Sequence, residues 1–269
     1  ESPGVKISLD GLHLDWQPSA LLQGKLAISE LNVNKLRLDI ASSNEATPPP
    51  NDLHLPVAVD IEKVLISQFD WWGIFSANNI SGQLSSDGEQ HRLSNFIAHS
   101  GNISLGGDAS LGGSAPLPLS FTARLSGKLD ERPLQMAVSG DGPLDRINLR
   151  AKAEQGINGE GTATITPFAQ QIFANAHLAI IDVDPAAWHP SAPKAKLVLL
   201  ADLQPKGDKI AGDFSITNQQ AGPLDRQQMP LVQLSGKLEG QGDQMDFERL
   251  DAQLSGGGKL FGKGRWQNT

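Results

Sequence analysis

The chain has 269 residues, 39% of them apolar, with 28 glycines, 17 prolines and neither cysteine nor tyrosine. Without cysteine there is no disulfide, no thiolate metal site and no cysteine nucleophile. A net charge of −8 without a long basic run argues against nucleic acid or an anionic membrane surface as the main partner.

Low apolar content with abundant glycine suits thin, repetitive β structure better than a thick globular core. Period two is the dominant signal and begins at 5-VKISL-9. In 26-LAISELNVNKLRLDI-40 the alternation of Leu26 and Ile28 slips to Leu31 and Val33, then to Leu36, Leu38 and Ile40. Successive strand side chains point to opposite faces, so each run has one apolar and one polar face. Slips of this kind let a sheet bend while keeping one face inward.

The stretch 42-SSNEATPPPND-52 has no periodicity and three consecutive prolines, which predicts an exposed loop. Then 53-LHLPVAVDI-61 places Leu53, Leu55, Val57, Val59 and Ile61 at every odd position and predicts a strand. Trp71 and Trp72 read as core or rim, with sugar stacking as the alternative. Alternation returns at Leu134, Met136 and Val138, and again at Ile147 and Leu149.

Two helical pieces are predicted within 166–188. In 166-TPFAQQIFAN-175, Thr166 is placed to cap and Pro167 suits the first helical position; Asp184 and Pro185 do the same for a single turn at 184-DPAAW-188. Period two resumes with Leu197, Leu199 and Leu203, continues with Phe214 and Ile216, and closes with Leu250 and Leu254. The whole is expected to be one elongated, repetitive all-β domain over 1–269, a curled sheet of roughly twenty short strands about 4.8 Å apart. A start at Glu1 and an end in mid-pattern are what an excised segment of a longer protein would show, with any membrane anchor outside it.

Short repeats support the β reading: LSGKL at 125–129 and 234–238, GPLDR at 142–146 and 222–226. Glycine-punctuated runs recur at 103–113, 156–165 and 254–266. The last contains 257-GGKLFGKG-264, which has the glycine and lysine spacing of a phosphate-binding P-loop. Gly264 stands where that loop needs a hydroxyl for Mg²⁺, and too few residues follow to form its helix. A third copy of the glycine-rich strand pattern explains it better.

Candidate chemistry is sparse. The six histidines make no HxxxH or HExxH spacing, and no GxSxG elbow occurs. Asp182 and Asp184 begin like a calcium loop, but Pro185 breaks it. The pairs Asp141 with Asp145 and Glu239 with Asp243 have glycosidase chemistry available to them, yet carboxylates in turns carry little information. The expectation is a protein that is not an enzyme, with no metal and no cofactor.

What remains is an aliphatic face whose proposed lining is the apolar series above from Leu26 to Leu254, leaving out Leu31, Val33 and Ile40. If the sheet closes or packs on a second sheet, that face is a dry core. If it only curls, it is an open trough, and exposed apolar surface on that scale signals binding. An aliphatic lining fits acyl chains better than flat ligands. Sequence pattern alone leaves both shapes open, and a dry β-solenoid scaffold or adhesin stalk is the alternative to a lipid groove.

The run 12-LHLDWQPSALLQGKLAISELNVNKLRLDI-40 resembles the AsmA-like, TamB-type proteins of Gram-negative envelopes. The segments 53-LHLPVAVDIEKVLISQFDWW-72, 163-ATITPF-168, 182-DVDPAAWHP-190 and 221-AGPLDRQQMPLVQLSG-236 share the likeness. The resemblance implies a curled sheet with a hydrophobic interior (a β-taco) in the periplasm, in a protein anchored in the inner membrane. It implies phospholipid as the partner, passed between inner and outer membranes, or support of outer-membrane protein assembly. It also implies contact with the remainder of its own chain and, through a region outside this sequence, with a TamA-like barrel.

Overall fold

The computed structural model describes residues 5–40, 49–71, 75–129, 132–169, 171–189, 191–241 and 244–267. Residues 42–48 of the expected loop, Trp72 and Asp243 lie outside them. In chain order the strands are β1 (Val5–Gln17), β2 (Lys25–Ile40), β3 (Ala58–Trp71), β4 (Phe75–Ser86), β5 (Gln90–Ser100) and β6 (Ile103–Gly112). They continue with β7 (Pro118–Leu129), β8 (Arg132–Pro143), β9 (Ile147–Gln155), β10 (Asn158–Ile165) and β11 (Phe173–Val183). The last are β12 (Leu197–Lys206), β13 (Lys209–Asn218), β14 (Leu231–Gln241), β15 (Gln244–Leu254) and β16 (Lys259–Gln267).

The protein is all-β, a 16-stranded sheet whose strand order is the chain order. Its strands are fewer and longer than expected, reaching 16 residues in β2. β2 and β3 run parallel, whereas the other described neighbours are antiparallel. The chain divides into two compact units, 1–149 with 167–170, and 150–166 with 171–269. The first holds β1 to β8 and the start of β9; the second holds the rest of β9 and β10 to β16.

In the first unit the slips read from 26–40 are real and matched across neighbours. Leu9 faces Leu36 and Leu12 faces Val33, so two successive outward residues in β1 stand against two in β2 and the register does not break. The same step recurs where Ile28 faces Ile61 and Leu31 faces Val64, leaving Glu30 and Lys63 outward and 3.1 Å apart. Gly11 takes φ 65 at the first step, where a Cβ would collide with the Asn34 side chain. Elsewhere asparagine, which tolerates the left-handed region, does this job. Asn79 (φ 49) and Asn95 (φ 51) sit at register shifts in β4 and β5, and the Asn95 N–H is held by Asp108 at 2.9 Å.

Two expectations need correction. The strand forecast over 53–61 begins only at Ala58. Leu53 donates its N–H to the Gly113 carbonyl (2.8 Å) and Leu55 to that of Gly88 (3.0 Å), so 53–57 passes strand ends instead of lying in the sheet. The helix forecast at 166–175 is a turn: Thr166 donates its N–H to the Ile172 carbonyl at 2.7 Å, and Phe173 already starts β11. Phe173, Ile180 and their alternating neighbours satisfy strand period, which overrides the Thr-Pro start signal. The second helical turn is present as α1 (Pro185–Trp188), capped by Asp184, whose carboxylate accepts the N–H of Ala186 (3.1 Å) and of Ala195 (3.2 Å).

The first unit's core is small. Ala77, Ile80 and Ala98 are buried and packed on by Ile66, Phe69 and Phe96. In the second unit Ala195 and Leu197 are buried beside Asn218. Asn218 accepts the N–H groups of Lys196 and Gln220 (both 3.0 Å) and donates to the Met229 carbonyl (3.2 Å), so its burial leaves no amide group unmet.

Candidate functional site

Directly opposed residues of neighbouring strands share a face, so the registers trace each face across the sheet. In the first unit one row runs Trp16, Ile28, Ile61, Leu84, Leu93, Ala109, Phe121 and Gly140, one residue from each of β1 to β8. A parallel row joins Leu12, Val33, Ile66 and Ile80. In the second unit a row runs Gly159, Ile180, Leu199, Ile216, Leu234, Ala252 and Leu260 from β10 to β16. None of these rows contains a charge.

The opposite face carries the charges but is not wholly polar: Ile97 in the first unit and Ile181, Leu200 and Phe261 in the second lie on it, 40–74% exposed. Its matching row in the second unit is Thr162, His177, Asp202, Asp213, Lys237 and Glu248. His177 meets Asp202 at 2.7 Å, and Lys237 meets Asp213 at 3.6 Å. Farther along, Glu239 accepts from both Lys206 and Lys209 and Asp246 pairs with Arg265 at 2.6 Å. The hydrogen bonds from Lys206 and Lys209 hold the Glu239 carboxyl below its ordinary range, and that from Arg265 does the same to Asp246.

Most of the proposed lining falls on the apolar rows or next to them. Leu26 and Leu36 of β2 face Val59 and Phe69 of β3, and Leu38 is paired with Trp71. Leu134, Met136 and Val138 of β8 face Gly127, Leu125 and Ala123 of β7. Ile147 is 8% exposed, and Leu149 lies against Gly140. Leu197 is set against Val183 and Leu203 against Gly212, while Leu250 approaches Gly236 and Leu254 faces Leu231. Leu53, Leu55 and Val57 are brought to strand ends and not into a row. Residues missed by the reading, among them Val64, Ile66, Leu93 and Phe96, sit beside slips, where two consecutive outward positions hide the alternation.

Glycine has a defined part in these faces. Phe96 faces Gly107, Phe121 faces Gly140 and Phe214 faces Gly236. At Gly140 and Gly236 the bare backbone lets the opposed ring lie across the neighbouring strand, whereas a Cβ at Gly107 would meet the backbone of β7 at Thr122 and Ala123. Phe214 then meets Phe247 edge-on, with ring centres 5.7 Å apart and planes at 81°. The near-P-loop is a strand: Gly262 faces Leu250 and Gly264 faces Phe247 within β16, with open space where either Cβ would stand.

In the first unit Ile28, Val33, Ile61 and Ile80 of these rows are buried, whereas the row of the second unit is only partly covered. Apart from a 3-10 turn (Pro18–Gln23) resting on β2, each strand packs substantially only on its sheet neighbours. Leu199, Phe214, Ile216 and Leu234 are accordingly half-buried, and Leu178 is 42% exposed.

One polar cluster was invisible in the sequence. Asp52 accepts the His54 backbone N–H (2.7 Å) and lies 2.5 Å from its Nδ1, while Nε2 lies 3.2 Å from Ser114 Oγ. The hydrogen bonds from His54 lower the Asp52 carboxyl below its usual range. Acid, imidazole and hydroxyl stand in the order of a hydrolase relay. The side chains of Asp52 and His54 are 69% and 40% exposed, however, so water competes for each bond. Their evident work is to pin residues 52–54 to the connection between β6 and β7. Among the described residues no group of three or more His, Asp or Glu side chains is arranged to hold a metal, and no helix is long and apolar enough to cross a membrane.

No protein-family model matches the chain, and neither a curated protein nor a solved structure is found to be similar to it.

Proposed function

We propose that this chain is a periplasmic segment of a TamB-type, AsmA-like envelope protein, and that its apolar sheet faces hold phospholipid acyl chains in transit between the inner and outer membranes. The observation that supports this is the only partly covered row from Gly159 to Leu260, aliphatic apart from its glycine, with charge confined to the opposite face. An acyl chain lying across such a row exchanges one apolar environment for the next, so sliding meets low barriers. Leaving water contributes about 25 cal/mol per Å² of apolar surface covered. Head groups remain in water beyond the apolar face. No group in this scheme makes or breaks a covalent bond, so the chain acts as a conduit and not as an enzyme. The same surface suits support of outer-membrane protein assembly, with contact to a barrel partner made by other parts of the protein.

The test combines mass spectrometry of organic extracts from purified protein with photo-crosslinkers at Leu199 and Ile216 on the apolar face and at Asp202 on the polar face. Co-purified phospholipid crosslinked from Leu199 and Ile216 but not Asp202, and lost in Leu199→Glu with β content retained, is the expected result. A lipid-free extract with no difference between faces overturns the proposal and leaves a dry scaffold.

A further inference from the structure

β1 is an edge strand: among the described residues it pairs only with β2. Edge strands ordinarily carry features that discourage further pairing. β1 instead shows a set of exposed apolar side chains on the sheet's apolar face, with Ile7 61%, Leu9 54%, Leu12 59% and Leu14 42% exposed. On the other face Lys6 and Asp15 are exposed.

The order of these residues is self-complementary. Two copies of β1 laid antiparallel, with Leu9 of one opposite Leu12 of the other, also bring Ile7 opposite Leu14 and Lys6 opposite Asp15. Every contact then occurs twice about a two-fold axis between Asp10 and Gly11. The step at Gly11 falls opposite the same step in the second copy. That is the geometry β1 already has with β2, where Leu9 faces Leu36, Leu12 faces Val33 and the register stays unbroken. A shift by one residue would set apolar against polar side chains and step against straight strand, so one register is selected. The terminal strand of the second unit lacks this property: Lys259, Lys263 and Arg265 alternate along β16, and two copies would repel.

We infer that two copies of this chain associate through their β1 edges, forming a closed, two-fold symmetric antiparallel strand pair that extends the first unit's apolar face from one copy to the other. The inference is independent of what that face carries.

Sedimentation velocity over about 1–300 μM, a range spanning weak to moderate association, is expected to show a monomer–dimer equilibrium. Lys6→Asp and Asp15→Lys each replace two attractive pairs by two repulsive ones. Each is expected to raise the dimer Kd roughly tenfold. The double variant Lys6→Asp/Asp15→Lys restores both pairs with their signs exchanged and is expected to return Kd to near the parent value. Both positions are exposed, and circular dichroism of each variant checks that the sheet is intact. A zero-length carbodiimide crosslink between Lys6 and Asp15 in a mixture of light and ¹⁵N-labelled protein should join peptides of unlike label. A monomer at every concentration overturns the inference, as does a dimer indifferent to either single charge reversal. An open-ended series of oligomers also overturns it and points to β16 of one copy meeting β1 of the next.

Discussion

Adding a methyl group at Gly140 tests whether glycine in these strands is there for the phenyl ring opposite. An ideal Cβ on Gly140 would lie 2.6 Å from Phe121 Cζ and 3.0 Å from Leu149 Cδ2. Phe121 Cε1 would lie closer still, and carbon atoms rest about 3.5–4.0 Å apart, so the ring must retreat by more than about 1 Å. Forcing it to do so costs about 1–3 kcal/mol, against about 0.5–1 kcal/mol recovered by removing glycine from a strand. The balance is a loss centred on about 1 kcal/mol, and at most about 2.5, for Gly140→Ala. Urea unfolding of the parent, Gly140→Ala, Phe121→Leu and the double variant reads this directly. Shrinking the ring relieves the clash, so Phe121→Leu is expected to cost about 1 kcal/mol less in the alanine background than in the parent. Gly262, in β16, has nothing within 4 Å of an ideal Cβ, and Gly262→Ala is expected to be neutral or slightly stabilising. A Gly140→Ala protein as stable as the parent, with coupling below about 0.3 kcal/mol, would refute the ring-over-glycine account.

Ile80, 8% exposed within the Ala77–Ala98 cluster, should lose about 2–5 kcal/mol on truncation to alanine, whereas Leu22, 92% exposed, should lose less than about 0.5; equal losses by urea unfolding would show that the core lies elsewhere. Glu239 has a folded-state carboxyl pKa below its ordinary value because Lys206 and Lys209 donate to it. Its contribution is therefore present above the ordinary glutamate range and is lost as pH falls through the lowered value. Thermal unfolding of Glu239→Gln should differ from the parent at neutral pH and converge with it in acid, and added salt should shrink the difference. A difference that persists at low pH would contradict the ion-pair origin.

The fold class was legible because period two survives in almost every strand, and the apolar faces follow from it directly. The slips in 26–40 were legible too, since Ile28 is followed by Leu31 and Val33 by Leu36, an odd spacing that strict alternation does not produce. Their alignment with slips in β1 and β3 was not, because register between strands is a tertiary property. Leu53, Leu55 and Val57 alternate as a strand would, yet Pro56 lacks an N–H and the segment is drawn to the carbonyls of Gly88 and Gly113. At 166–175 a sound helix start signal lost to strand pairing, as local preference does when a neighbouring edge is open. The Asp52–His54–Ser114 cluster joins residues 60 positions apart, and nothing local to Ser114 announces it.

The parallel pairing of β2 with β3 gives the first unit an uneven assembly. Every other described junction in it is antiparallel between neighbours in the chain, needing only a short connection that closes in microseconds. The β1–β2 hairpin and the β3–β8 meander each form by pairing chain neighbours. Joining them requires the chain between Ile40 and Ala58 to return along the full length of a strand before the first hydrogen bond between β2 and β3 forms. Because closure entropy grows only logarithmically with length, each doubling of that connection adds only about 0.6 kcal/mol. Among the first unit's described junctions, the seam between β2 and β3 is thus the one that needs the longest chain closure before pairing begins.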